Sequence, residues 1–128
     1  MKKITLLVLL AMMCFGLAGC SKDAEINAFM SEFGTVTKDV SAKLDAGDVD
    51  GAQKVFDEKK ASLKSKWDGI KTARGMQVSK ETQTKMTEET QKNMKTLTDS
   101  SMKAMQAKPS EASKVQNLVK EFTGIFQL

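Results

Sequence analysis

The sequence predicts an all-α protein: an antiparallel up-down helical bundle of about four helices, preceded by a separate apolar signal helix. Three observations support this. No segment shows the strict alternation of apolar and polar residues that marks a half-buried strand. Apolar residues recur in steps of three and four along four segments, which places them on one face of a helix. Gly47, Gly75 and Pro109 separate these segments, so the predicted connections are short.

The first predicted helix runs from about Asp23 to Ala46. Gly34 lies inside it and lowers its intrinsic helix propensity by about 1 kcal/mol relative to alanine, so we expect close contact with another helix there. Gly47 suits the left-handed residue that ends a helix, and Asp48 suits the N-cap of the next. The apolar stripe consists of Ile26, Phe29, Met30, Phe33, Val40 and Leu44, with Thr37 filling the one gap.

The second predicted helix extends to about Ala73, before Arg74 and Gly75 end it. Lys59 falls near the middle of its apolar stripe. We expect its stem to lie on the core while its ammonium stays in water. The stripe consists of Ala52, Val55, Phe56, Leu63, Trp67 and Ile70.

The third predicted helix begins after Ser79, a good N-cap, and contains no glycine or proline before Pro109. It is therefore the longest, at about 28 residues or about 42 Å. Its inward residues are mostly methionine, threonine, serine and alanine, so we expect it to be the least stably packed. These residues are Gln83, Met86, Thr87, Thr90, Met94, Leu97, Ser101, Ala104 and Met105.

The last predicted helix runs from about Ser110 to Phe126, after a proline that the first turn of a helix tolerates. It is the most apolar of the four. Because its stripe continues almost to the C-terminus, we expect that terminus to be docked on the core. The inward residues are Val115, Leu118, Val119, Phe122, Ile125 and Phe126.

The N-terminal segment has the organisation of an export signal. Lys2 and Lys3 precede an apolar run, and small residues follow it. The apolar stretch over residues 4–19 is shorter than the roughly 20 residues that cross a bilayer, so a membrane-spanning helix is disfavoured. We predict a signal peptide over 1–19, a lipidated tether over 20–25 and a helical bundle domain over 26–128. An ordinary secretory signal with an incidental cysteine is the alternative.

The four residues Leu17-Ala18-Gly19-Cys20 close this segment, and they resemble the lipobox of bacterial lipoproteins. The resemblance implies cleavage before Cys20, a diacylglyceryl group on its sulfur and acylation of its new amino group, with fatty acids such as palmitate. Two or three acyl chains anchor a protein stably where one does not. An aspartate directly after the cysteine resembles an inner-membrane retention signal, but this position holds Ser21. In an organism with an outer membrane, the resemblance therefore points to the inner leaflet of that membrane, with the body in the periplasm.

Composition narrows the function classes. Without residues 1–19 the chain has 109 residues, enough for one domain, and its net charge falls from +4 to +2. So small a charge gives little support for nucleic-acid binding. Cys14 leaves with the signal and Cys20 carries lipid, so no thiol remains, and the sequence has no histidine or tyrosine. We therefore predict no enzyme, no catalytic residues, no bound metal and no cofactor besides the covalent lipid on Cys20.

The methionines of the third helix form the one cluster that resembles a ligand site. Thioethers bind Cu(I), but methionine more often fills gaps in a helical core, and softness of the ligand alone does not make a metal site. A loosely packed methionine face can also part to admit an apolar ligand or a partner helix. Met86, Met94, Leu97 and Met105 are the candidate residues of such a face, with Met102 at its edge.

These observations predict a membrane-anchored, non-enzymatic periplasmic accessory lipoprotein that contacts membrane lipid through its acyl chains and binds another envelope protein. Secretion pilotins and assembly factors include small helical lipoproteins that resemble this predicted architecture, but no sequence motif here selects one of them. Two alternatives stay open. One is a carrier or sensor of an apolar small molecule within the bundle, which would need a pocket at the methionine face. The other is an inhibitor or immunity protein against an envelope-acting toxin.

Overall fold

The computed structural model describes residues 21–73 and 75–126. Four α-helices occupy most of them: α1 (Asp23–Asp45), α2 (Val49–Ile70), α3 (Lys80–Ala107) and α4 (Ala112–Gly124). Single turns of 3₁₀ helix, Gly75–Gln77 and Pro109–Glu111, lie in the second and third connections. No strand occurs in this part of the chain. The all-α bundle is confirmed, whereas the signal peptide and Cys20 lie outside the described residues.

The turn between α1 and α2 follows the predicted capping. Gly47 has a φ of 73°, the left-handed conformation that glycine adopts without strain. Its N–H donates to the Leu44 carbonyl at 2.9 Å, and the Asp48 N–H donates to the Lys43 carbonyl at 2.9 Å. This pair of bonds is the Schellman motif. The Asp48 carboxylate then accepts the Gly51 N–H at 2.9 Å and caps α2.

The first helix begins at Asp23, as predicted, and so includes the last three residues of the stretch 20–25. Residues 23–25, placed in the tether, form the first turn of α1. Asp23 and Glu25 are acidic, which favours the N-terminal turn of a helix, and the Ser21 hydroxyl accepts the Asp23 N–H at 3.2 Å. The described stretch ahead of the helix is therefore only residues 21 and 22.

Successive helices run in opposite directions. α1 packs against α2 and α3, and α4 packs against the same two helices. Asp23 bonds to Ser79 at one end and Lys108 bonds to Gly47 at the other, so α1 and α3 are parallel neighbours. We call the end that holds the start of α1 and the connection 71–79 the base. The end that holds Gly47 and Lys108 is the top.

The core contains an aromatic cluster that joins α1, α2 and α4. Phe33 lies 5.4 Å from Phe122 and 5.1 Å from Phe126 between ring centroids, and Phe56 stacks on Phe122 at 4.8 Å. Phe126 also meets the Trp67 ring at 5.1 Å, which confirms that the last helix is docked. Such pairs add about 0.5–1.5 kcal/mol each to the free energy of area burial.

The inward face of α3 was only partly predicted. Leu97, Ser101 and Ala104 are buried, but Gln83 and Thr87 are exposed, and Thr82 is buried in their place. The prediction extends a heptad-like spacing of inward residues to the N-terminal part of the helix. A straight α-helix repeats every 3.6 residues, so its buried face drifts away from such a pattern. Leu97 is the only large apolar residue fully buried on α3. The helix therefore has too few large apolar residues to show which of its sides faces inward near its start.

Candidate functional site

Hydrogen bonds fix the start of α1 to the connection between α2 and α3. Asp23 Oδ1 accepts the Ser79 N–H at 2.9 Å, and the Lys22 N–H donates to the Gln77 carbonyl at 2.8 Å. The Ser79 N–H is the main reason that the pKa of Asp23 lies below its ordinary value of 3.8. The Ser79 hydroxyl lowers it further, burial opposes this, and the Thr82 hydroxyl makes the least contribution to lowering it. At the base, the start of α1 is therefore joined to the connection between α2 and α3.

An apolar cavity of about 230 Å³ lies at the base, between the first turns of α1 and α3 and the end of α2. We call it the base cavity. Trp67 is half-buried in its wall, and the buried indole N–H has no hydrogen-bond partner among the described residues. The lining residues are Ile26, Trp67, Ile70, Lys71, Ala73, Val78, Gln83 and Met86. For scale, an engineered apolar cavity of about 150 Å³ admits benzene.

The four residues of the predicted methionine face do not form one open surface. Leu97 is fully buried and therefore closed to a ligand or partner in this conformation. The three methionines, Met86, Met94 and Met105, are half-buried and pack against the buried hydrophobic residues of the core. Of the four, Met86 alone lines the base cavity. Because methionine adapts its shape to irregular gaps, core filling accounts for the other two.

A second recess, which we call the α1–α3 groove, is lined mainly by polar residue types and has a volume of about 430 Å³. Ser41, which sequence reasoning missed, lines it, and its buried hydroxyl has no partner among the described residues. Ser101, predicted as an inward residue, has an unpartnered buried hydroxyl as well. A Cβ on Gly34 would lie 3.6 Å from Asn93 Nδ2, an ordinary contact. The expected close approach therefore does not require glycine here.

Glu32 forms a polar contact between α1 and α2. Its carboxylate accepts hydrogen bonds from Lys66 Nζ and, at 3.2 Å, from the Ser62 hydroxyl. Partial burial opposes its ionisation, but those two bonds and the charges of Lys66 and Lys59 outweigh this effect. The pKa of Glu32 is therefore lowered. Lys59 itself is exposed, as expected for a stem that lies along the helix surface.

Two of the aspartates around Gly47, Asp48 and Asp50, have structural partners. Asp48 caps α2 and lies 3.6 Å from Lys43, while Asp50 pairs with Lys114 at 3.0 Å and raises the pKa of that lysine. No group of three or more histidine, cysteine, aspartate or glutamate side chains could hold a metal ion within residues 21–73 and 75–126. Over the same residues, no helix is both long and apolar enough to cross a bilayer.

Two large apolar side chains in the described chain are exposed. Met76, in the base connection, is 102% exposed, and Met102, on α3, is 47% exposed. Sequence reasoning placed Met102 at the edge of a face but gave Met76 no role. A single methionine outside any periodic segment offers no pattern from which to predict its surroundings.

Comparison with protein-family models, with curated proteins and with solved structures found no match to this chain. A functional proposal therefore depends on the residues themselves.

Proposed function

We propose that the protein is a membrane-anchored, non-enzymatic periplasmic accessory lipoprotein that binds another envelope protein. The observation that carries the proposal is Leu17-Ala18-Gly19-Cys20 at the end of a lysine-started apolar run, which resembles a lipobox. Cys20 lies three residues ahead of α1, so a lipid on it would hold the bundle close to the bilayer. Position 21 holds a serine and not the aspartate that resembles an inner-membrane retention signal, which favours the outer membrane.

The chemistry of the body favours binding over catalysis. Once Cys20 is acylated, the mature chain has no thiol, and the sequence has no histidine to move protons near neutral pH. The two carboxylates whose pKa values are lowered, Asp23 and Glu32, both accept hydrogen bonds that join structural elements. A stable anchor combined with a small helical body is what a recruiting or assembly factor needs.

The α1–α3 groove is the recess on the flank of the bundle where we expect a protein partner to bind. The exposed polar residues that line it, such as Thr96, could form hydrogen bonds with a partner segment. Lys38 and Lys92 lie on its two sides and Asp45 lies further along it, so the walls carry both signs of charge.

Site-specific photo-crosslinking in cells tests this proposal. A photoreactive amino acid replaces Lys92 in the groove or, as a matched control, Lys64, an exposed lysine on α2. We expect a discrete envelope protein to be captured from position 92 and not from position 64. The capture should be lost in a Cys20→Ala chain, which cannot be lipidated. Recovery of only lipid and abundant neighbours from both positions would contradict the proposed partner.

The base cavity favours a second candidate function, binding of an apolar small molecule. Met86, from the predicted face, and Trp67 both line it. Trp67 is the only tryptophan and the sequence has no tyrosine, so its fluorescence reports on the cavity alone. A fatty acid brominated along its chain should quench Trp67, and Val78→Phe should reduce that quenching by filling the cavity. The same change at Val119, a half-buried residue of α4, is the control.

A further inference from the structure

We propose that the base of the bundle is itself a membrane-contact surface, with Met76 inserted among the phospholipids of the leaflet that holds the anchor. This inference rests on the proposed lipidation of Cys20. It adds an orientation and a second point of attachment, and it assigns a role to a side chain that the fold does not use.

The reach of the tether determines which surface can meet the bilayer. Two residues, Ser21 and Lys22, separate Cys20 from Asp23, so the three steps from Cys20 to Asp23 span at most about 11 Å when fully extended. α1 then rises 23 residues, or about 35 Å, from base to top. An anchor at Cys20 therefore keeps the base within about one helix diameter of the lipid and leaves the top far from it.

Two hydrogen bonds join the connection that carries Met76 to Lys22 and to the first residue of α1. Gln77, the next residue, accepts the Lys22 N–H at 2.8 Å, and Ser79 donates to Asp23 at 2.9 Å. Lys22 is only two residues from Cys20. Met76 thus precedes the residue that contacts Lys22, the second residue after Cys20 in the sequence.

Met76 exposes its entire side chain, although 18 other hydrophobic residues of the described chain are buried. A single exposed methionine is common on proteins, but this one lies at the end that the tether directs toward lipid. The base cavity lies at the same end, and its half-buried apolar lining residues include Trp67, Val78 and Met86. Apolar side chains at such an end are stabilised by transfer from water to the lipid interface.

Three carboxylates at the base have partners within the protein, while Lys80 and Glu81 at the start of α3 are exposed. Lys22 pairs with Glu25 at 3.1 Å and Lys71 pairs with Asp68 at 3.0 Å, while Asp23 accepts the Ser79 N–H. These carboxylates are therefore engaged within the protein. One methionine is too small to hold a free protein on a membrane. The lipid anchor makes the contact intramolecular, so a weak interaction is enough.

Fluorescent labelling of single cysteines tests the inference on the full chain, processed in cells and reconstituted in phosphatidylethanolamine–phosphatidylglycerol vesicles. Met76→Cys is compared with Met102→Cys, the other exposed large apolar residue, which lies more than 20 residues further along α3. Both variants carry the same polarity-sensitive dye. Acylated Cys20 does not react with the dye, and Cys14 is absent from the mature chain.

We expect the dye at position 76 to shift its emission to the blue and to be quenched by lipids that carry a nitroxide near the headgroup. The dye at position 102 should keep its emission in water and escape quenching. Equal, water-like signals at both positions in a chain whose intact mass includes the acyl groups would overturn the inference. An intact mass without acyl groups, with dye attached to Cys20 in the unsubstituted chain, would instead overturn the proposed lipidation.

Discussion

Lys108 Nζ donates a hydrogen bond of 2.7 Å to the Gly47 carbonyl and so joins the α1–α2 turn to the α3–α4 turn at the top of the bundle. Asp23 and Ser79 make the corresponding connection at the base. The two parallel helices α1 and α3 are therefore tied at both ends. This matters because α3 has little apolar surface with which to hold its place.

We predict that Lys108→Met lowers the free energy of unfolding by about 1 kcal/mol, because a charged donor to a backbone carbonyl is lost. The measurement is urea denaturation followed by circular dichroism. Lys103→Met, at an exposed lysine on the same helix, is the matched control and should change stability by a few tenths of a kcal/mol. Equal losses in the two variants would show that the bond to Gly47 contributes nothing.

Gly34→Ala should raise the free energy of unfolding by about 1 kcal/mol, because alanine has the higher helix propensity. The new methyl group would meet Asn93 at 3.6 Å, an ordinary contact. At Gly51, by contrast, a methyl group would collide with the Asp48 carboxylate that caps α2. Losing that cap costs about 1 kcal/mol, so Gly51→Ala should gain nothing. A gain at Gly51 equal to that at Gly34 would contradict the capping geometry.

Ser41→Ala and Ser101→Ala should each stabilise the unbound protein by up to about 1 kcal/mol, because each removes a buried hydroxyl without a partner. Thr37→Val is the control on the same helix as Ser41. Its buried hydroxyl donates to the Phe33 carbonyl at 2.8 Å, so its removal should destabilise by about 1 kcal/mol. Thermal unfolding of the three variants checks the contrast. Loss of stability in all three would indicate that the serine hydroxyls are satisfied.

Stability should fall with acid through Glu32. Its folded pKa lies below the ordinary value of 4.5, so its contribution is fully present above that value and is lost as the pH falls through the folded pKa. Urea midpoints between pH 7 and pH 3 should decline for the wild type and decline less for Glu32→Gln. Glu88→Gln, at an exposed carboxylate on α3, should follow the wild type. Parallel curves for wild type and Glu32→Gln would contradict this.

The sequence was sufficient to predict the elements whose apolar signal is strong. Phe29, Phe33 and Val40 on α1 follow steps of three and four, and all are buried. The cap by Asp48 and the left-handed Gly47 follow from local chemistry, which needs no knowledge of tertiary contacts. These features are short-range, so a single sequence is enough to predict them.

Features that depend on distant contacts could not be predicted. The partner of Lys108 is the Gly47 carbonyl, 61 residues away in the sequence. The base cavity is formed by residues from the ends of three helices, which are distant in sequence. The pattern predicts that Leu97 points inward, which its burial confirms. How deeply it is buried depends on the neighbouring helices.

The central claim is that Cys20 anchors this bundle by lipid. Mass spectrometry of the intact protein purified from its native envelope tests it most directly. We predict a chain that begins at Cys20, lacks residues 1–19 and carries a diacylglyceryl group on the sulfur and an acyl group on the amino terminus. A chain with a free Cys20 thiol, or one cleaved at another position, would contradict the claim.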